Sequence, residues 1–158
     1  MEQEEKKENL INTFNALLEM NMIPIVNEND SVSYTEIESE DRLFGCNDML
    51  SAVAAILCKA KQLVILSDIN SLYDADPRLY PNAKLINRIE EIDETVYTLA
   101  GGAGSRRGTG GMKTKLRAAA LATAQGIDTI IINGKALETL YEIVKGNKVG
   151  PLFVGKLF

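Results

Sequence analysis

The feature that most constrains this chain is a glycine-rich stretch that runs directly into a helical pattern. Residues 101–115 contain six glycines, three hydroxyl side chains and four cations. Because glycine has no Cβ, successive backbone N–H groups can turn toward a ligand and the ligand can approach closely. Residues 112–125 are rich in Ala and Leu and predict a helix that Gly126 ends. Since N–H groups at a helix start bind anions, the stretch predicts a phosphate site, with Lys115 one turn into the helix.

A mobile basic surface loop is the other interpretation of this stretch. Neither common nucleotide motif explains it, because no G-x-x-x-x-G-K-[ST] and no G-x-G-x-x-G occurs in it. Arg106 and Arg107 are expected to steer an anion without fixed contacts, and Lys113 is expected on an exposed helix face. The phosphate site is therefore predicted from backbone chemistry and charge, not from a known motif.

Length and charge limit the class of protein. A chain of 158 residues with 46% hydrophobic content predicts one globular domain with a real core. The net charge of −5 argues against a nucleic-acid partner, which requires a basic face. No apolar run approaches the ~18–20 residues of a membrane span, and the acidic N-terminus is not a signal peptide. We therefore expect no membrane partner and a cytoplasmic location.

The histidine and cysteine content limits which catalytic and metal sites the chain can form. The chain has no histidine, which excludes histidine-based catalysis and histidine metal sites. Cys46 lies just before one predicted helix and Cys58 lies near its end. The two are expected roughly 18 Å apart, beyond the reach of a disulfide. They are expected to be free thiols in a reducing compartment, and two cysteines do not make a zinc site. No metal site built from protein side chains is expected.

Short apolar runs alternate with helical patterns along the chain. Such alternation predicts a three-layer α/β/α sandwich with a mostly parallel sheet. Residues 2–8 are highly charged and are expected to fray. The predicted helices are 9–19, 49–59, 94–100, 112–125 and 135–145, and the predicted strands are 23–26, 32–37, 62–66, 85–89, 129–132 and 152–154.

Polar residues gather where the predicted strands end and where one helix begins. Asn27-Glu28-Asn29-Asp30 follows one strand, Ser67-Asp68 follows another, and Asn47-Asp48 precedes a helix. Because ligands bind at the carboxyl ends of strands in open α/β sheets, these clusters are expected to converge with the glycine-rich stretch. Asp48 as a helix cap and Asp68 as a turn residue are the purely structural interpretations.

Four stretches occur in order along the chain: NEND at 27–30, FGCND at 44–48, LYDADP at 72–77 and GTGGMKTKLRAA at 108–119. Together they resemble the glutamate 5-kinases, which belong to the amino-acid-kinase superfamily, and the resemblance covers nearly the whole chain. It implies transfer of the γ-phosphoryl group of ATP, with Mg²⁺, to the side-chain carboxylate of L-glutamate. The product would be γ-glutamyl phosphate for proline synthesis.

The same resemblance implies roles for single residues. Lys115 would stabilise negative charge on the transferring phosphoryl group, because phosphoryl transfer depends mainly on positioning and electrostatics. The attacking carboxylate is ionised at neutral pH and needs no base, in agreement with the lack of histidine. Asp30, Asn47 and Asp48 would contact glutamate, and ATP would lie at Ser67, Asp68 and the backbone of Thr109, Gly110, Gly111, Met112, Lys113, Thr114 and Lys115.

Two departures from the family pattern leave alternatives open. Cys46 stands where the family has an acid, and nothing matches the family's preceding strand, glycine-lysine phosphate loop and Ser-Gly-rich substrate loop. Residues 1–158 are therefore expected to form a single domain that corresponds to the C-terminal part of the kinase domain, without an RNA-binding-like domain after it. A homo-oligomer is expected. The alternatives are an active glutamate 5-kinase, a kinase for another acidic amino acid or its acyl derivative, or an inactive nucleotide- or amino-acid-binding or dimerisation module.

Overall fold

Helices and strands alternate along the chain, as the sequence predicts. A computed structural model describes residues 2–27, 47–68, 72–75, 79–101, 109–135 and 137–156. The predicted strand at 32–37 lies outside these ranges. The helices are α1 (Glu2–Glu19), α2 (Asn47–Leu57), α3 (Glu94–Gly101), α4 (Thr109–Thr123) and α5 (Glu138–Val144), and the strands are β1 (Gln62–Ser67), β2 (Arg88–Ile89), β3 (Asp128–Asn133) and β4 (Leu152–Phe153).

The strands form one mixed sheet in the order β1-β3-β4-β2. β1 and β3 are parallel and in register from Gln62 opposite Asp128 to Ser67 opposite Asn133. β3 and β4 are antiparallel, and β4 and β2 are parallel. Within the described ranges two of the three strand pairings are thus parallel, which confirms the prediction of a mostly parallel sheet.

The two faces of the sheet carry separate cores. Because successive side chains of a strand point to opposite faces, Ile131 of β3 packs with α2, α3 and α4, whereas Ile130 and Ile132 pack with α5. Ile143 is the α5 residue buried in the second core. Helices therefore cover both faces, and the three-layer α/β/α prediction is confirmed.

The first helix differs from its prediction. α1 begins at Glu2, so the prediction that residues 2–8 fray is wrong. Acidic side chains near its start stabilise a helix N-terminus, and Lys7 pairs with Glu4 at 3.8 Å. Its apolar stripe is only partly buried: Phe14 lies in the core, while Leu10 and Leu18 are about half exposed. Neither α1 nor any other helix in the described ranges is apolar over a length that could cross a bilayer.

The predicted buried strand at 23–26 is wrong. The segment has no regular structure, and Ile23 and Ile25 are 89% and 96% exposed. An apolar run becomes a strand only when a neighbouring strand satisfies its backbone groups. β1 is the last strand on its side of the sheet, and among the residues that the structure describes none pairs with its outer edge.

The C-terminal ends of α4 and α5 agree with the predictions from the sequence. α4 starts at Thr109, three residues before the prediction, and its chain turns at Gly126, where φ is +76°. Gly146, with φ of +84°, follows α5 in the same way. Glycine takes this left-handed conformation without a Cβ clash, so both predicted stops are confirmed. α5 itself starts at Glu138, later than predicted.

Cys58 follows α2 as a free, half-buried thiol, as predicted. Burial raises the pKa of the Cys58 thiol. The thiolate, which is the reactive form of cysteine, is therefore disfavoured at this position. Cys46 lies outside the described residues.

Candidate active site

Two helices, α2 and α4, begin at the same edge of the sheet. Residues 58–61 join α2 to β1, and residues 124–127 join α4 to β3. Each helix packs on the strand that follows it, and so short a link requires helix and strand to run in opposite directions. Since β1 and β3 are parallel, both helix N-termini lie at the edge where these strands end. This is the edge at which open α/β sheets bind ligands.

Small side chains bring α2 and α4 together. The two helices pack against each other, and their buried faces consist mainly of alanine. Alanine leaves room for two helix backbones to approach closely, whereas larger side chains would hold them apart. The apolar residues of the two helices with at most 8% exposure are Ala52, Ala55, Met112, Leu116, Ala118, Ala119 and Ala122.

Asp48, in the first turn of α2, is held by two residues of α4. Lys115 Nζ lies 3.2 Å from Asp48 Oδ2 and 3.3 Å from Oδ1. The Thr114 hydroxyl donates to the same Oδ2 at 2.7 Å. The side chains of Lys115 and Asp48 are only 15% and 18% exposed. We refer to these three residues as the Asp48 cluster.

Partial burial makes the Asp48 cluster electrostatically different from the surface ion pairs. Lys145 and Glu142 on α5 are also in contact, at 2.9 Å, but their side chains are 66% and 43% exposed. Water and salt screen such exposed pairs, which contribute little. Lys115 and Asp48 are screened less, so their attraction is stronger. The ammonium group of Lys115 is therefore held in place at the start of α4.

A second polar group lies at the ends of β1 and β3. Ser67 and Asn133 are register partners, and the Gly134 N–H donates to the Ser67 carbonyl at 2.8 Å. The Ser67 hydroxyl lies 3.4 Å from Asp68 Oδ1. The Asn133 side chain accepts a hydrogen bond from the Lys135 N–H at 2.8 Å. The two strand ends thus form one continuous polar rim beside the N-termini of α2 and α4.

No other described residue covers Gly111, in the first turn of α4. Outside the backbone of its own helix, a Cβ built on Gly111 would meet no described atom within 4 Å. A ligand could therefore approach the backbone there, as the glycine-rich stretch predicts. Among the residues with described positions, no three His, Cys, Asp or Glu side chains cluster in a way that could hold a metal ion.

The structure brings some of the predicted site residues together and leaves others unplaced. Asp48 and Lys115 meet, and Asn47 begins α2 with an exposed side chain. Thr109 and Gly110 are the first residues of α4, Met112 turns its side chain into the core, and Lys113 is exposed, as predicted. The predicted site residues Asp30, Arg106 and Arg107 lie outside the described residues, as does Cys46.

Two features of this region were not predicted. The side chain of Thr114 was assigned no role, yet it contacts Asp48. Asn133 follows a buried strand as Ser67 does, so the same strand-end rule could have identified it. For Thr114 no local signal existed, because its partner lies 66 positions away in the sequence.

Comparison with known proteins shows the family to which this chain belongs. The amino acid kinase family matches residues 1–133. A glutamate 5-kinase of Clostridium perfringens (strain 13 / Type A) is 49% identical over 156 residues, which are 99% of this chain and 58% of the relative. A glutamate 5-kinase of Idiomarina loihiensis is 50% identical over 142 residues, 90% of this chain and 37% of the relative. The chain thus spans about half the length of the curated relatives it matches.

Solved structures support the fold. A carbamate kinase from Giardia lamblia bound to AMP-PNP is similar with a TM-score of 0.50, 21% identity, and coverage of 70% of this chain and 36% of that one. A uridylate kinase from Archaeoglobus fulgidus has a TM-score of 0.50 and 22% identity, with coverage of 70% and 48%. These likenesses concern the fold alone. The correspondence of the chain to the C-terminal part of a kinase domain stays a prediction.

Proposed function

Because this chain belongs to the amino acid kinase family, we propose that it carries the phosphoryl-transfer site of a glutamate 5-kinase. The reaction transfers the γ-phosphoryl group of ATP to the side-chain carboxylate of L-glutamate and yields γ-glutamyl phosphate. The relatives at 49% and 50% identity are named for this activity. Proline biosynthesis in the cytoplasm is the corresponding cellular role.

The contact between Lys115 and Asp48 is the observation that carries this proposal. It places an ordered ammonium group at the N-terminus of α4, beside the open surface over Gly111. Both the ammonium and the free N–H groups of the first helical turn attract an anion. A phosphoryl group that gains negative charge in transit would be stabilised there by Lys115.

The attacking group needs no help from a base. The side-chain carboxylate of glutamate is ionised near neutral pH, and the chain has no histidine to act as a base. Asn47, exposed at the start of α2, can donate hydrogen bonds to a carboxylate. Both oxygens of Asp48 are already in contact with Lys115. We therefore propose that Asp48 acts first by holding Lys115, and that its contact with glutamate occurs when Lys115 moves toward the phosphate.

The polar rim fits the nucleotide. Ser67 and Asp68, at the end of β1, would contact ATP together with the first turn of α4, and ATP would supply the phosphoryl group.

Mg²⁺ in phosphoryl-transfer sites is held by phosphate oxygens, water and one or two carboxylates. The lack of a three-acid cluster in the described part of the chain suits that mode. Asp68 is exposed at this edge and could supply one such carboxylate.

A glutamate-dependent assay with two lysine variants tests the proposal. The purified chain is incubated with ATP, Mg²⁺ and L-glutamate, and the acyl phosphate is trapped as a hydroxamate, with aspartate and N-acetylglutamate as parallel substrates. We expect product with glutamate and a loss of about 100-fold or more in Lys115→Met, the scale at which removal of one charge-stabilising group acts. Lys145→Met removes the lysine of the exposed pair on α5 and should retain full activity.

A folded chain that forms no product with any substrate would contradict the proposal for this polypeptide. The same holds if Lys115→Met retains wild-type activity. Product with aspartate or N-acetylglutamate, but none with glutamate, would assign another acidic substrate.

An inactive binding or dimerisation module is the second candidate, and one observation favours it. Residues of α1, α2 and the segment after α1 border an open groove of about 820 Å³. It lies beside the edge of β1 with which none of the described residues pairs. Ile23 and Ile25 are almost fully exposed next to it. Apolar surface of this kind marks an interaction site, so a homo-oligomer could cover it. Retention of ATP binding without any phosphoryl transfer would support this candidate.

A further inference from the structure

We propose that the Thr114 hydroxyl is a positioning group, which keeps the Asp48 carboxylate in place when Lys115 exchanges that carboxylate for an anionic ligand. The inference rests on the proposed function, in which Lys115 turns from Asp48 toward a phosphoryl group. It adds a side-chain role for Thr114, whose predicted contribution was limited to its backbone.

The hydroxyl of Thr114 has one proton and two acceptors within reach. Asp48 Oδ2 lies at 2.7 Å, and the Gly111 carbonyl of the same helix lies at 2.9 Å. A carbonyl inside an α-helix already accepts a main-chain N–H. A hydrogen bond to an ionised carboxylate is shorter and stronger than one to a neutral carbonyl. The proton of Thr114 is therefore directed to Asp48.

This hydrogen bond matters most when Lys115 leaves. Lys115 lies almost equally far from both oxygens of Asp48, at 3.2 and 3.3 Å. When its ammonium turns to a ligand, a carboxylate only 18% exposed loses its cation. Such a group must keep hydrogen bonds or be destabilised. The Thr114 hydroxyl supplies one that does not depend on Lys115, so the lysine can move at a smaller cost.

Three variants separate this role from packing. Thr114→Val has nearly the same shape but puts a methyl group where the hydroxyl was, and a methyl group cannot approach Oδ2 to 2.7 Å. Thr114→Ser keeps the hydroxyl. Thr98→Val is the matched control, because the Thr98 hydroxyl donates to a carbonyl of its own helix α3, at Glu94, and is exposed.

The first measurement needs no catalytic activity. The chain of 158 residues is acylated briefly with a reagent that reacts with amines, and mass spectrometry gives the rate at Lys115 relative to exposed Lys113. In Thr114→Val the Asp48 carboxylate loses the hydrogen bond that would remain when Lys115 leaves. Lys115 is then released less often, so we expect the relative rate to fall about three- to tenfold. Thr114→Ser and Thr98→Val should match the wild type. An unchanged or higher rate in Thr114→Val, or an equal fall in Thr114→Ser, would overturn the proposal.

The second measurement is kinetic and separates positioning from binding. In the glutamate-dependent assay we expect Thr114→Val to lower kcat about tenfold while the KM for ATP changes less than about twofold, with activity restored in Thr114→Ser. A rise in KM alone would mean that Thr114 binds the nucleotide, and would contradict the positioning role. If the wild-type chain makes no product, the proposed function fails, whereas the labelling result still decides the role of Thr114.

Discussion

Lys115 Nζ and Asp48 Oδ2 lie 3.2 Å apart although 67 positions separate the two residues in the sequence. Their contact depends on the alanine-rich packing of α2 against α4, which sets the two helix N-termini side by side. The site is therefore a property of the helix pair. A change in the packing of either helix would displace the ammonium group of Lys115.

Removal of the carboxylate should destabilise the fold. In Asp48→Asn a mostly buried lysine loses its ionic partner, and we expect the free energy of unfolding to fall by about 1–3 kcal/mol. Glu142→Gln breaks an exposed pair and should lower the free energy of unfolding by a clearly smaller amount. Urea unfolding of both variants measures the difference. Equal effects would mean that the Asp48 cluster is no stronger than a surface pair.

Alanine at Gly111 should separate stability from ligand binding. A Cβ there meets no described atom within 4 Å outside its own helix, and alanine favours a helix over glycine. Gly111→Ala should therefore raise the free energy of unfolding by about 0.5–1 kcal/mol. The same methyl group would stand where a phosphate approaches the backbone, and ATP affinity should fall. Thermal unfolding and calorimetric titration with ATP test the two effects. Tighter ATP binding in the variant would exclude a ligand over this turn.

The contact between Gly155 and Gly126 predicts a strong effect from one methyl group. A Cβ at Gly155 would lie 2.5 Å from the backbone C and O of Gly126 and 2.9 Å from the N of Ile127. Main-chain atoms of this kind cannot move aside as a side chain can, so Gly155→Ala should lower the free energy of unfolding by about 1–3 kcal/mol. Chemical denaturation checks this value. Wild-type stability would show that the chain does not make this close approach.

The α5 helix should contribute a small pH-dependent stability. Hydrogen bonds from Lys145 and Asn147 hold the pKa of Glu142 below its usual range. A carboxyl group whose pKa is lower in the folded state stabilises the fold at any pH above its pKa in the unfolded state, which is about 4.3 for Glu. The stabilisation is lost as the pH falls through the pKa of the folded state. The stability difference between wild type and Glu142→Gln should thus be constant from pH 7 to about 5 and vanish on further acidification.

Lys145→Met provides the control for this titration. It removes the first and largest cause of the lowered pKa, so most of the pH-dependent difference should disappear with it. A difference that grows as the pH falls would have the wrong sign and would contradict the assignment. Added salt should reduce the effect, because the pair is exposed.

The sequence predicted the features that depend on local pattern. The parallel strands β1 and β3, the stops at Gly126 and Gly146, and the helix after the glycine-rich stretch follow from apolar periodicity and glycine chemistry. That Asp48 and Lys115 lie close together was expected from the strand-end rule and from the resemblance to a family.

Features that depend on long-range packing were not predictable. The run Ile23–Val26 has the composition of a buried strand, but composition does not supply the neighbouring strand it needs. β4 lies antiparallel to β3, and two residues of strand carry no sign of direction. The hydrogen bond of Thr114 depends on the rotation of α4 about its axis, which the final packing against α2 sets.

The reversed direction of β4 has a practical consequence for work with this protein. Because β4 is antiparallel to β3, the chain after β4 returns to the start of β3. There the N–H of Gly155 donates to the side chain of Asp128 at 2.8 Å. The N–H of Lys156 donates to the carbonyl of Thr123, at the far end of α4. Thr123 is eight residues, or about 12 Å along the helix, from Lys115. A fluorophore or surface-immobilisation handle attached at Lys156 would leave the polar rim unobstructed, whereas one attached at Asp68 would block it.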